Sequence, residues 1–233
     1  MLWGLRPVEQ QAAYGLVVER MRRQIHLGLM LPGKRLAAER KLAEDMNIAR
    51  VTLREALRVL ETEGYIIVRR GAYGGRYIAD ERELDKIARR RAARDPGGSM
   101  RVLEFREAAE RSAVRFAALR RTPADLKRMR IGLDAVAKAA TLGELRQAET
   151  TFHLALAEAS HNDFLARALE EALCNLFTPF GNEEVAEVRP LRHATRLMLL
   201  KAIEARDADR AETLMGPILA DERQRLGRVA KVA

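Results

Sequence analysis

Apolar positions recur at helical spacing along most of the chain, with one short interruption of β character. Over residues 9–27, Leu16, Val17, Arg20, Met21 and Ile25 make one stripe, and Gly28 stops the helix they predict. Between Arg35 and Tyr65 two short helices follow one another. Leu36, Leu42, Ala43 and Met46 share one side of the first, and Leu53, Ala56, Leu57 and Leu60 share one side of the second. Met46-Asn47-Ile48 interrupts the pattern and Gly64 ends it. Residues 65–68 and 76–78 then alternate as short strands. They flank a turn holding Arg69, Arg70, Gly71, Gly74 and Gly75, which predicts a two-stranded hairpin with a basic tip. A charged helix is expected over residues 80–94. Asp95-Pro96-Gly97-Gly98-Ser99 breaks it and is the clearest linker in the chain.

From Met100 onward no strand is predicted. Helices are expected over 100–120, 123–139, 142–160, 162–178, 189–206 and 208–227. Thr122-Pro123 supplies a cap and a first-turn proline, and Thr141 with Glu144 has capping-box spacing. Gly181-Asn182 and Pro190 bracket a loop. The pattern makes the chain mainly α, closing as a bundle of about six helices.

Composition changes the picture in three ways. The chain has 233 residues, 48% of them hydrophobic, enough for one large domain or two ordinary ones. Its formal net charge is +9, and the excess sits early. Residues 1–95 hold 20 Lys and Arg against 13 Asp and Glu, while residues 96–233 hold 22 against 20. A basic first part is expected if that part meets phosphate, although an Arg-rich, Ala-rich composition also raises charge without any nucleic acid. The single cysteine, Cys174, excludes an intrachain disulfide and reads as a small buried hydrophobe. No apolar run reaches the roughly 20 residues of a membrane span, and no signal-peptide core opens the chain. A soluble cytoplasmic protein without membrane contact is expected. Residues 1–8 read as a loose tail, and Trp3 within it is assigned no role.

The second short helix carries Arg50, Thr52, Arg54 and Arg58 on its early, outward turns. An apolar back with hydrogen-bonding cations at the leading end suits a helix entering a DNA major groove. The stretches PGKRLAAERKLAEDMNIARVTLREALRVLETEGY and IIVRRGAYGGRYIA resemble the winged helix-turn-helix of GntR-type bacterial transcription regulators. The resemblance implies an N-terminal winged helix-turn-helix over residues 9–79, a partly helical linker over 80–99, and an all-α effector-binding and dimerisation domain over 100–228. It also implies that DNA is read by Arg40, Arg50, Thr52 and Arg54, and at the wing by Arg70 and Gly71. Arginine can address guanine bidentately, while threonine and main-chain amides hold phosphates. The plainer reading of Arg54 is a solvated ion pair, for example with Glu55; the run Arg89-Arg90-Arg91 also reads better as a solvated face. The chain departs from the family at Ala49, where a hydroxyl residue usually stands, and at Ala37 and Ala38. Loss of a hydroxyl cap costs about 1 kcal/mol, so somewhat weaker or altered DNA contacts are expected.

The second half resembles the FCD domain, the helical effector-binding half of the FadR branch of these regulators. EFREAAERSAVRFAALRRTPADL, ETTFHLALAEASHNDFLARAL and KAIEARDADRAETLM carry the resemblance. Many FCD domains hold a divalent metal through an Asp and three His. In this chain the corresponding positions are Glu149, His153, Arg196 and Ile218. Arginine donates no lone pair and isoleucine offers none, so no metal or other cofactor is expected. Glu149 and His153 would be a residue of that site, with His193 as a substitute ligand one turn before Arg196. Instead, Arg196 would put a fixed positive charge in the metal's place. Arg106 corresponds to the family arginine that meets effector carboxylates, although Glu110 at i+4 is an internal alternative. The expected effector site is therefore Arg106, Glu149, His153 and Arg196, binding a small anionic metabolite. The expected function is a homodimeric DNA-binding regulator, a repressor of a metabolic operon acting on a palindromic operator in double-stranded DNA. The competing reading is a constitutive or architectural DNA-binding protein with a vestigial bundle. No nucleophile–base or phosphate-loop pattern supports an enzyme.

Overall fold

The computed structural model describes residues 13–230 apart from 72, 73, 96, 181 and 182, with side chains described as far as residue 226. The tail with Trp3, the helix start at Glu9, Pro96 and the Gly181-Asn182 pair lie outside the described residues. Ten helices and one hairpin are present among them. They run α1 (Ala13–His26), α2 (Glu39–Met46), α3 (Arg50–Thr62), β1 (Ile66–Arg69), β2 (Gly75–Ile78), α4 (Glu81–Arg94) and α5 (Gly98–Arg120). The chain continues as α6 (Pro123–Lys138), α7 (Leu142–Ala159), α8 (Asp163–Asn175), α9 (Val185–Glu204) and α10 (Ala208–Ala230).

Two large apolar clusters organise these elements, with a small third one of Val136, Ala139, Leu145 and Ala148. In the first, Val17, Val18, Met21 and Ile25 of α1 meet Leu53, Ala56, Leu57 and Leu60 of α3, with Leu84, Ile87 and Ala88 of α4. Burying each such leucine stabilises the fold by about 1.5–3 kcal/mol, which fixes the face that α3 turns inward. Asn47 ends α2 in the left-handed conformation, φ 52°, and its N–H caps the preceding turn. Ala38 and Ala49 begin α2 and α3 without a side-chain cap, as the missing hydroxyls predict. The strands pair antiparallel, with Ile66 opposite Ile78 and Arg69 opposite Gly75. Arg35 adds an isolated bridge to Tyr77, so the hairpin is tied to the chain before α2.

The second cluster is the helical bundle. Leu103, Val114, Met129, Phe152, Leu156, Leu199, Ile203 and Met215 lie at its centre. Thr122 and Asp125 form the capping box of α6, with Pro123 in its first turn. Thr141 accepts from Glu144 N at 3.1 Å, but the Glu144 carboxylate reaches back to Ala140 N, one residue before the expected partner.

Three expectations are corrected. Leu16 is 62% exposed, and Val18 takes its place in the buried stripe of α1. The helix expected over 80–94 is present as α4, and Leu84, Ile87 and Ala88 place it in the first core. The break is shorter than expected: Gly98 and Ser99 already form α5. Finally, α9 starts at Val185 and carries Pro190 inside its second turn. A proline this near a helix start forfeits one N–H bond, and Arg189, donating to Ala139 O at 2.8 Å, ties that turn to the end of α6.

Helices α6 and α7 approach closely at Gly132. A Cβ there would lie 2.9 Å from both N and Cα of Phe152. Alanine gains about 1 kcal/mol of helix propensity over glycine, but a backbone clash cannot relax by rotating a side chain, and overpacking costs typically 1–3 kcal/mol. Gly132→Ala is therefore expected to lower the thermal midpoint by a few degrees, as measured by circular dichroism. An unchanged or raised midpoint would show that the two helices can separate.

Candidate functional site

The helix pair α2–α3 presents its cations outward. Arg40 is 78% exposed at the side chain and lies 3.8 Å from Glu44. Arg50 opens α3 and is exposed, Thr52 is half-buried, and Arg54 is exposed. Arg54 donates through Nε to Glu39 Oε2 at 2.9 Å, across the turn, rather than to Glu55. Glu55 instead accepts from Arg58 at 2.8 Å. Glu39 also accepts from Arg76 of β2, which in turn holds Glu61. Hydrogen bonds from Arg54 and Arg76 outweigh partial burial and keep the Glu39 carboxyl below its usual range. These ion pairs clamp α2, α3 and the hairpin together, so the exposed cations share a fixed frame. At the wing, Arg70 and Gly71 are exposed, and Gly71 has φ 98°. Two neighbours were not among the expected DNA-reading residues: Arg69, part of the expected basic tip and stacked 4.3 Å over the Tyr77 ring, and Arg35, which donates to Gly74 O at 2.8 Å.

The bundle holds the second site. Arg106 is 1% exposed at the side chain. Its Nε donates to Glu110 Oε1 at 3.1 Å, and its Nη1 donates to Glu222 of α10. Burial opposes its charge, but the two carboxylates hold its pKa above the ordinary arginine value. Glu110 is equally buried and lies 2.9 Å from His153 Nδ1. Burial alone would raise its pKa; Arg106 and His153 reverse that and bring it down to about 2. Arg196 is 2.8 Å from Glu149 Oε1 and 3.4 Å from His153 Nε2, both through Nη2. The Arg196–Glu149 and His153–Glu110 contacts are close but misaligned for hydrogen bonds, and Arg196 Nε has no partner. Buried N–H groups are seldom left so.

The four predicted residues, Arg106, Glu149, His153 and Arg196, thus meet in one place. Five more charges belong to the same cluster and were missed. Arg192 pairs with Glu183 and lies 3.5 Å from Glu149. Arg225 lies 3.3 Å from Asp221 and 3.8 Å from Glu222. The spacing of Arg192 and Arg196, one turn apart on α9, was the available signal. Nothing in the order of residues shows that the end of α10 returns over α5.

Two family models match the chain: the FCD domain over residues 101–221, and the bacterial regulatory proteins of the gntR family over residues 13–72. The chain belongs to the gntR family. It carries the winged helix-turn-helix and FCD domains of the FadR-like branch, families of regulatory proteins rather than enzymes. It is 37% identical to an Escherichia coli K12 protein named for regulation of the L-lactate dehydrogenase operon, over 66% of this chain and 60% of that one. It is 34% identical to the E. coli Uxu operon transcriptional regulator, over 60% and 56%. The chain therefore spans less than two thirds of these relatives' own length. An HTH-type regulator of Mycobacterium gastri, RmpR, is 30% identical over 85% of this chain and 74% of its own. Among solved structures, E. coli McbR/YncC covers 94% of the chain and 99% of itself, with TM-score 0.57 and 21% identity, a likeness of fold.

The divalent metal implied for many FCD domains needs converging lone pairs. In this gntR-family chain one guanidinium nitrogen of Arg196 lies against both remaining ligand side chains, Glu149 and His153. Ile218 is 4% exposed and packs in the apolar core, and His193 is half-buried beside the line of Arg192 and Arg196. The residues present do not fit a divalent ion.

A seam joins the two halves of the gntR-family chain. Phe177, just after α8, enters the first apolar cluster and stacks on His26 of α1 at 4.2 Å and 11°. Phe180 N donates to Asp85 of α4 at 2.8 Å, and Gly143 N at the start of α7 donates to Glu81 at 2.7 Å. Arg146 of α7 lies 3.8 Å over the Phe180 ring and donates to Thr178 O. Burial lowers its pKa to about 10, with Arg225 adding to the effect.

His26 is 4% exposed and shares a 2.8 Å hydrogen bond with the Tyr65 hydroxyl. Burial, reinforced by Arg91 and Arg22, lowers its pKa from 6.5 to about 3. Below pH 6.5 the unfolded chain takes up a proton at this ring, while the folded chain does so only near pH 3. The unfolded state holds more protons in between, so stability falls as pH is lowered through that window. Between pH 7 and 5 this group is expected to remove about 2 kcal/mol of stability, read as a lower guanidinium midpoint. His26→Asn should flatten that part of the profile; an unchanged slope would mean that His26 is protonated in the folded protein.

Proposed function

We propose that the chain is a DNA-binding transcription regulator of a metabolic operon whose operator binding responds to a small organic or sugar acid. The observation that carries this reading is the exposed row of Arg40, Arg50 and Arg54 on a helix pair whose back is sealed in an apolar core. Arg50, Thr52 and Arg54 would meet base edges and phosphates in the major groove, with Arg70 and Gly71 at the flanking backbone. One such unit reads half a site, so a homodimer on a palindrome is the working form. We take repression as the direction of control. Arg106 and Arg196, with Glu149 and His153, form the effector site, and no metal takes part in it. A relative named for the L-lactate dehydrogenase operon supports a carboxylate-bearing metabolite.

A second reading is favoured by one observation. Arg106 already has Glu110 and Glu222, and Arg196 already has Glu149. If these pairs are purely structural, the protein binds DNA constitutively.

Fluorescence anisotropy on the intergenic DNA beside the coding sequence separates the two. Arg50→Ala and Arg54→Ala are each expected to weaken binding roughly 10- to 100-fold, while Arg130→Ala in the bundle leaves it unchanged. Equal affinity for all three would remove α3 from the interface. With the unmodified chain, at least one of L-lactate, D-glucuronate, succinate and citrate is expected to shift DNA affinity fivefold or more. No shift with any of them favours constitutive binding.

A further inference from the structure

The carboxylates of the buried cluster are not equivalent. Glu110 sits on the same helix as Arg106 and is 1% exposed at the side chain, and Glu149 is 12% exposed. Glu222 is 25% exposed and comes from the last turns of α10, 116 residues away from its partner. Its two oxygens face different cations: Oε2 accepts from Arg106, and Oε1 lies 3.8 Å from Arg225. Burial would raise its pKa, but Arg106 and Arg225 hold it below the usual range, so it is present as a carboxylate. A carboxylate bridging the most deeply buried guanidinium to a second one is what an acid effector would itself provide.

Charge balance decides what must happen when an effector enters. Arg106, Arg192, Arg196 and Arg225 face Glu110, Glu149, Glu183, Asp221 and Glu222 within 4.0 Å contacts. Each of these guanidiniums already faces at least one carboxylate, and His153 lies against Glu110. A further anion among them would add uncompensated buried charge, which is strongly unfavourable. One resident carboxylate therefore has to leave. Glu110 cannot reach water without unwinding α5. Glu222 can, because it is partly exposed and Arg223 and Gln224 after it are exposed, although Ile218 and Leu219 one turn earlier are buried.

We propose that Glu222 is a built-in competitor: its carboxylate occupies the position of the effector's carboxylate on Arg106 and Arg225, and the effector enters by displacing it. This rests on the effector-site reading above. Effector affinity is then a difference between two carboxylates on the same guanidinium, and the end of α10 moves when the exchange occurs. The effector class is an organic acid with at least one free carboxylate. Neutral analogues such as the corresponding amide or ester cannot compete for Arg106.

The test is isothermal titration of the full chain with L-lactate, D-glucuronate, succinate and citrate. Glu222→Gln keeps the size and one acceptor oxygen but removes the charge. It is expected to tighten the best-bound acid tenfold or more, while Glu107→Gln, a surface pair with Arg223 and Arg111, leaves the dissociation constant unchanged. Glu222→Asp, shorter but still charged, should fall between wild type and Glu222→Gln, and it serves as the second reading if the glutamine variant is poorly folded. Equal or weaker binding in both variants, with an acid that binds wild type, overturns the displacement and leaves the effector site standing. If none of the acids binds wild type or either variant, the effector site falls and this proposal with it.

Discussion

A buried guanidinium must have an anion, and the bundle is arranged around that requirement. Arg106 and Arg196 cannot shed their charge at any ordinary pH. Each must be met by a carboxylate from within or from a ligand. Glu110, Glu149 and Glu222 meet them in the structure described here, drawn from α5, α7 and α10. The helices that contribute those charges are thereby held in one relative arrangement. Ion pairs of this kind seldom add net stability compared with an apolar core of the same shape. Breaking one side is costly, however, which makes the cluster a place where exchange of one anion for another changes the packing around it.

That sensitivity matters because the charge cluster and the DNA-facing half share elements. Helix α7 carries Glu149 and His153 in the cluster and Arg146 at the seam, one turn earlier. The segment between α8 and α9 carries Phe177 and Phe180 at the seam and Glu183 on Arg192. Gly143 and Glu81 tie the start of α7 to the start of α4, whose apolar face belongs to the core behind α3. In the proposed homodimer, a shift of α7 or of this segment would pass through this packing to α1 and α4, and from there to the spacing of the two recognition helices. Two states of the seam, differently favoured by the anion, are all that such coupling requires.

The helix pair and wing were legible in the sequence because local rules agree there. Apolar spacing, the left-handed Asn47 and the glycine turn all specify the same elements, and the tertiary packing has nothing to override. The capped starts of α6 and α7 were legible for the same reason. Leu16 was not, because a stripe drawn through it also fits helical period, and only the position of α3 decides between Leu16 and Val18. Pro190 reads as a breaker until Arg189 is seen bonded to the end of α6. In the buried charge cluster, Arg106, Glu149, His153 and Arg196 could be named from motif positions. Arg192, Arg225, Asp221 and Glu222 could not, since a charge on an amphipathic helix reads as solvated until another helix covers it. The same holds for Phe177, which looked like part of the bundle and is packed in the other core.

In the proposed regulator, an anion in the bundle is felt across the seam. Amide hydrogen exchange of the full chain, with and without saturating amounts of the best-bound acid, tests it most directly. The account predicts altered exchange rates in α7, in residues 174–180, and in α1 and α4 on the far side of the seam. Changes confined to α5, α9 and α10, with α1 and α4 exchanging as before, would contradict it.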